Sequence, residues 1–301
     1  MTKLQNVAVF GAGGMLGTYV IEALRQADFA ITIVSRPASK STFPAGIKVI
    51  KAEYTLPALT EALQGQDAVV SVVGTMAKLD QITLVDAAVA AGVKRFIPSN
   101  FANAPDMKGL EPLMKIREVN ASVERYADGK RDVNPDFSWT SICNGVFIDL
   151  ALKRFSPIFG FDIPARTAKI YDSGNEAFTA STMPDIARAV AGVLEHSVET
   201  ANKHVLIRSV QTTQNEILAT VEAQTGEKWT VNHVNSAEII AEGEAMLAAG
   251  NGRAYGVLVA AQLFQDGAGR SIVVSRENAA NGLVGVEEKD ISTIVRDVLA
   301  S

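Results

Sequence analysis

The chain has 301 residues, 48% of them hydrophobic and 20% charged, a composition that can fill a large core or a core plus a smaller lobe. Its net charge is −5, with 28 basic against 33 acidic residues and no long basic run, so the many phosphate contacts of a non-specific nucleic-acid binder are not expected. The single cysteine, Cys143, excludes an intrachain disulfide and a multi-cysteine metal centre.

No stretch of 18 apolar residues is present, and "MTKLQNVAVF" enters a strand almost at once, so neither a membrane span nor a signal peptide is expected. The expected location is the cytoplasm. Cys143 lies in the apolar run "FSWTSICNGVF" and reads as a buried core thiol.

In chain order, "NVAVF" (6–10), "AITIVS" (30–35), "IKVIKA" (47–52), "DAVVSVV" (67–73) and "KRFIPS" (94–99) are nearly continuous apolar runs and read as buried strands. Between them, 15–27, 56–64 and 80–92 carry apolar residues at helical spacing; Ile82, Val85, Val89 and Val93 can share one face. Alternating strand and helix imply a doubly wound parallel sheet of Rossmann type. A helix at about 113–128 leads through the polar loop "DGKRDVNPD" to a sixth strand, 137–143.

Beyond residue 150 the pattern loosens. "FSPIFGFDIPARTA" reads as loop, 183–195 as helix, 203–209 as strand, and 213–226 as a helix ended by Gly226. A short strand at 228–234 and helices near 236–249, 253–265 and 290–300 complete the chain. The expected division is a dinucleotide-binding domain over 1–150 and a smaller α+β substrate lobe over 151–301, with about 183–210 returning to the first domain's sheet.

The strongest local signal is "VFGAGGMLG", in which Gly11, Gly14 and Gly17 form G-x-x-G-x-x-G and Gly13 allows a looser spacing. Such a turn needs glycine for tightness, for close approach of pyrophosphate to bare backbone, and for helix–sheet packing. Here it follows the first strand and opens an amphipathic helix, whose free N–H groups attract phosphate. At the end of strand two, "TIVSRPASK" places Ser35 and Arg36 where an acidic residue would select NAD, with Lys40 nearby. A guanidinium there pairs with a 2′-phosphate, so NADPH is the expected cofactor.

Together "FGAGGMLG", "SRP", "GQDAVVSVVGT" and above all "AGVKRFIPSNF" (91–101) resemble the atypical short-chain reductases of the isoflavone reductase-like and NmrA-like group. Later segments, "WTSICNGVFID" and "DIARAVAGVLE" among them, are similar too. The resemblance implies a monomeric or dimeric NADPH-binding fold, reduction of small aromatic substrates in some members, and redox sensing without turnover in others. It extends the cofactor set to Ala12, Met15, Leu16, Val73, Gly74, Thr75, Ser99, Asn100, Phe101 and Asn144. Phe101, Met107, Gly145 and Phe147 are the expected substrate-facing residues.

Tyr126 and Lys130 match the Tyr-x-x-x-Lys spacing of the wider superfamily, but they sit at a helix end beside a polar loop. Lys115 is better placed, 16 residues after Ser99; by the resemblance it is the catalytic lysine, with a pKa lowered by desolvation. A one-residue slip would put Ile116 there instead. Asn100 and Ala102 replace the signature's Glu and Gly, and Val119 stands where family members carry an Arg. His196, His204 and His233 share no ligand spacing, so no metal is expected. The leading expectation is an NADPH-dependent reductase of a small aromatic or conjugated carbonyl-type substrate; the alternative is a non-catalytic NADP(H)-binding sensor.

Overall fold

A computed structural model describes residues 4–74, 80–101, 104–105, 108–155 and 159–300. The central sheet contains β1 (Asn6–Phe10), β2 (Ala30–Ser35), β3 (Lys48–Lys51), β4 (Ala68–Ser71), β5 (Arg95–Ile97), β6 (Ser138–Cys143) and β11 (Lys203–Leu206). Their order is β11-β6-β5-β4-β1-β2-β3 and every pairing is parallel, which is the doubly wound order 3-2-1-4-5-6 extended by one late strand. The chain therefore re-enters its first sheet after residue 200.

Strand alternation divides the sheet's burial. Val7 and Val9 point into one core with Val20, Ile21 and Leu24 of α1 (Met15–Gln26) and Ile186, Val190 and Val193 of α6 (Met183–Glu195). Ala8 and Phe10 point into the opposite core with Leu59 of α2 (Leu56–Ala62), Leu84 and Val85 of α3 (Gln81–Ala90), and Ala127 of α4 (Glu111–Gly129). Both faces are covered, which is why the strands read as unbroken apolar runs. The exception is β3: it was expected to be buried, but it lies at the sheet edge with Lys48, Val49 and Lys51 exposed.

Arg95 of β5 is only 1% exposed, and no carboxylate pairs with it among the described residues. Its Nε donates to Ser138 Oγ at 2.9 Å and its Nη1 to Thr140 and Thr200 hydroxyls at 2.9 and 3.0 Å, while Nη2 donates to the Ser197 carbonyl. Burial lowers its pKa to about 10. This guanidinium fastens β5, β6 and the turn before β11 from inside.

The lobe has its own core. β7 (Val146–Phe147), β10 (Phe178–Ser181) and β12 (Val210–Thr212) form one small sheet, and β8 (Phe161–Asp162), β9 (Thr167–Tyr171) and β13 (Thr230–Val234) form another. Among the described residues of "FSPIFGFDIPARTA", the loop expectation is corrected: β8 and the start of β9 lie there, made regular by pairing with each other and with β13. Helices α5 (Ile148–Lys153), α7 (Gln214–Thr225), α8 (Ser236–Ala248), α9 (Ala254–Phe264), α10 (Asn281–Val284) and α11 (Ile291–Leu299) complete the chain, all but α8 and α10 placing buried side chains in the lobe core. Phe264 packs edge-on against Phe159 and Phe178, with ring centroids 5.0 and 5.5 Å apart. Helix α7 begins with a Thr213/Glu216 capping box and ends at Gly226, φ +71°.

Candidate active site

Because the sheet is parallel, the turns after β1, β4, β5 and β6 all emerge at one edge, the usual place for a ligand in such a sheet. The turn after β1 needs its glycines. Gly11 has φ +81°, and a Cβ there would lie 2.5 Å from the Val72 carbonyl oxygen; a Cβ on Gly17 would lie 2.5 Å from that of Gly11. Gly14 caps α1 without a side-chain hydrogen bond, and the first turn of α1 carries no acidic residue. The turn and the helix start thus border a cleft of about 280 Å³ lined by Gly11, Ala12, Gly13, Gly14, Arg36, Val73 and Gly74.

Ser39, Ser41 and Tyr54 line the same cleft. The chain passes close enough that a Cβ on Gly13 would lie 2.5 Å from Ser41 Oγ. Lys51 Nζ donates to the Ser39 carbonyl at 3.0 Å and so holds the turn that carries Arg36. Desolvation pushes the Tyr54 phenol up to about 12, against the opposing pull of Arg36. An uncapped helix start, bare glycine backbone and a cation after β2 fit a phosphorylated dinucleotide. Lys40 and Leu16 do not line this cleft; Gly17 serves packing, and Met15 Sδ accepts a contact from Arg154 Nη1 at 3.6 Å. Thr75 lies outside the described residues.

A second cavity, of about 530 Å³, opens between the ends of β5 and β6 and the lobe. Asn100, Phe101, Gly145 and Phe147 line it from the sheet side; Leu150, Phe155, Tyr255, Val259 and Leu263 line it from the lobe. Met107, expected here, lies outside the described residues. Ser99 does not line it but ties the end of β5 to the turn after β4 and to α3, its Oγ donating to the Val73 carbonyl at 2.7 Å and its N–H to Gln81 Oε1 at 2.7 Å. Asn144 is fully buried beside the cavity; its Nδ2 donates to the Gly145 carbonyl at 3.0 Å and its Oδ1 has no partner among the described residues.

The lysine expectation needs correction. Lys115 is 74% exposed, pairs with Glu111 at 2.7 Å and does not line the cavity. The hydrogen bond and charge of Glu111 raise its pKa instead of lowering it. Helix phase gives the reason: α4 turns Leu113, Ile116, Arg117 and Asn120 toward the cavity, and five residues from Asn120 back to Lys115 rotate the side chain by roughly 140°. Tyr126 and Lys130 do meet, both on Asp86, at the far end of α4 where the chain leads into the start of β6. Asn120, Arg117, Tyr255 and Arg270 were missed; the helical period of α4 could have found the first two.

On the other side of α4 a polar cleft holds Glu124 and His204, with Asn100 and Arg117 shared between both spaces. Asn100 Nδ2 donates to Glu124 Oε1 at 2.5 Å, and Glu124 Oε2 lies 3.0 Å from His204 Nε2. Desolvation pushes Glu124 up, but bonds from His204, Ser141 and Asn100 outweigh it and hold its pKa below 4.5. A carboxyl depressed in the folded state stabilises above its unfolded pKa, and that contribution disappears as pH falls through the folded value. Thermal unfolding between pH 6 and 3 is therefore expected to lose midpoint more steeply in the wild type than in Glu124→Gln; parallel curves would remove Glu124 from the acid response.

The model for the family described as "NmrA-like family" matches residues 3–251. The chain belongs to the NmrA-like family. Among relatives of this family member, oxidoreductase poxI of Penicillium oxalicum is 41% identical over 289 residues, covering 96% of this chain and 92% of its own. The fold is shared with leucoanthocyanidin reductase of Vitis vinifera, solved as a binary complex with NADPH, at TM-score 0.80 and 21% identity over 98% of this chain and 100% of that one. It is shared also with AtPrR2, solved with NADP+ and (+)pinoresinol, at TM-score 0.81 and 20% identity over 99% and 100%. Among the described residues, no group of three His, Cys, Asp or Glu could hold a metal, and no helix is long and apolar enough to cross a membrane.

Proposed function

We propose that the protein is an NADPH-dependent reductase that passes a hydride to a small, flat, aromatic or conjugated carbonyl substrate. The observation that carries this reading is the cavity of about 530 Å³, apolar on most sides, at the strand edge that also bears the glycine turn. The relative named oxidoreductase poxI and the NADPH-bound structure of like fold support it.

When bound, the dihydronicotinamide supplies the hydride. The glycine turn and the start of α1 hold the pyrophosphate, and Arg36 meets the 2′-phosphate. Phe101 and Phe147, packed against the core beneath the cavity, present flat walls against which a conjugated substrate lies. Lobe residues Leu150, Val259 and Leu263 exclude bulk water from the reacting face. Lys115 faces away, so the proton comes from water at the cavity mouth or from the Tyr255 hydroxyl.

Calorimetric titration with NADPH and NADH tests the cofactor side. NADPH is expected to bind more tightly, and Arg36→Ala to erode the difference by about 1–2 kcal/mol, the lower part of the charge-assisted range because Arg36 is exposed. An unchanged preference would take Arg36 out of the site. The second reading, a dinucleotide sensor without turnover, is favoured by one observation: no lysine lines the cavity among the described residues. Steady NADPH consumption with a conjugated ketone decides against it.

A further inference from the structure

Thr179, Ser271 and Gln262 line the apolar cavity with their side-chain oxygens already bonded. The Thr179 hydroxyl accepts the Val273 N–H at 2.9 Å, the Ser271 hydroxyl donates to the Leu263 carbonyl at 2.6 Å, and Gln262 Oε1 accepts the Leu110 N–H at 2.6 Å. Arg117 and Arg270 are engaged as well, Arg270 donating to the Gln262 carbonyl at 3.5 Å. Two amides at the corner between β5 and α4 differ. Asn100, 8% exposed, borders the cavity and gives its Nδ2 to Glu124 Oε1 at 2.5 Å, while its Oδ1 accepts no hydrogen bond among the described residues. Asn120, 6% exposed, stands one turn before Glu124 on α4 and borders the same cavity, and its Oδ1 is unpartnered among the described residues.

Glu124 decides which end of the Asn100 amide is left for the cavity. Desolvation pushes its carboxyl up, but bonds from His204, Ser141 and Asn100 outweigh it, so the group is ionised at neutral pH and can only accept. The carboxylate therefore takes the NH2 end of Asn100 and turns the amide oxygen away, polarised by the charge behind it. Two amide oxygens then share one corner, and an occupant that expels water must supply their donor. An ether or a hydrocarbon leaves them unpaired; an anion sets oxygen against oxygen with Glu124 behind. We propose that this corner reads a neutral hydrogen-bond donor on the ligand, a hydroxyl or N–H on its flat apolar body, with Asn100 and Asn120 as acceptors and Glu124 as the positioning residue that aims the Asn100 oxygen. The inference rests on the reductase reading for calling that ligand a substrate; the donor selectivity itself does not depend on turnover.

Matched probes test this: 4-phenylbut-3-en-2-one bearing a hydroxyl at the meta or para position, and the methyl ether of each. Binding is measured by calorimetry to the full chain, with and without saturating NADP+. At least one hydroxyl form is expected to bind about tenfold more tightly than its ether, the return of a hydrogen bond to an otherwise unpaired oxygen. The preference should shrink to about threefold or less in Asn120→Leu and in Glu124→Leu, with ether affinity unchanged in both. Glu124→Gln, whose Oε1 can still accept from Asn100, should keep at least about fivefold. Thermal melts establish that each variant is folded, and the wild-type comparison stands without them. Equal binding of hydroxyl and ether at both positions, or a preference untouched by both Leu variants, overturns the proposal. A Glu124→Leu loss that falls equally on hydroxyl and ether overturns the positioning role. NADPH oxidation is read separately. A hydroxyl preference without oxidation of NADPH by any of the ketones overturns the reductase reading and supports the amide corner; oxidation without the preference does the reverse.

Discussion

Gly11→Ala is expected to abolish measurable NADPH binding and to destabilise the fold together. Residue 11 sits at φ +81°, where an L side chain is strained, and the added Cβ would lie 2.5 Å from the Val72 carbonyl oxygen and 2.6 Å from its carbon. Neither atom can retreat: Val72 N–H is bonded to the Phe10 carbonyl at 2.9 Å, continuing the pairing of β1 with β4. Positive φ costs about 1–2 kcal/mol and overpacking against fixed backbone about 1–3 more, so a loss of roughly 2–5 kcal/mol is expected. The same displacement removes the N–H groups from phosphate, which accounts for the coupled loss of binding. Calorimetry and urea unfolding on one preparation check both. Wild-type affinity in Gly11→Ala would mean that the cleft beside the turn is not where the dinucleotide sits.

The second large effect concerns Arg95, and the prediction separates two substitutions. Arg95→Ala is expected to cost about 3–5 kcal/mol, the range for removing a large buried side chain and leaving a cavity. Arg95→Met should cost under about 2 kcal/mol, although it removes every hydrogen bond the guanidinium makes. The partners explain the difference. Ser138 Oγ also donates to the Lys94 carbonyl at 2.8 Å, Thr140 Oγ1 to the Thr200 carbonyl at 2.7 Å, and Thr200 Oγ1 to the His196 carbonyl at 2.8 Å. Each hydroxyl keeps its donor satisfied when Arg95 goes, so a side chain that fills the volume removes most of the penalty. Urea unfolding with an unchanged m-value measures the two losses. Equal losses would show that charge and hydrogen bonding, not volume, anchor β5 to β6.

Legibility differed between the two parts of the site. The cleft beside the glycine turn is built from contiguous residues, 11–14, and from strand ends whose position follows from alternating elements. Both are local properties, so the sequence alone groups Gly11, Gly14 and Arg36, which line one cleft. The apolar cavity gathers α4, the turns after β5 and β6, α5 and α9, which are separated by up to about 160 residues, from Asn100 to Leu263. Lys115 shows how this misleads. Its distance along the chain from Ser99 was right for a site residue, yet a helix distributes neighbours over all azimuths. Only packing of Val123 and Ala127 against the sheet decides that Asn120 and Ile116 face inward and Lys115 outward.

The lobe repeats the lesson. Residues 161–162 pair only with the start of β9, and β9 itself is completed by β13, which lies some sixty residues later. Short-range patterning, set by steric demands at single positions and by the period of the central strands, was enough for the parallel sheet, the glycine turn and the cation that follows the second strand. Which face of α4 lines the apolar cavity, which strands the lobe forms, and where two arginines come to border one chamber were decided by tertiary structure. Those features depend on contacts between distant segments, and no local preference of the chain encodes them.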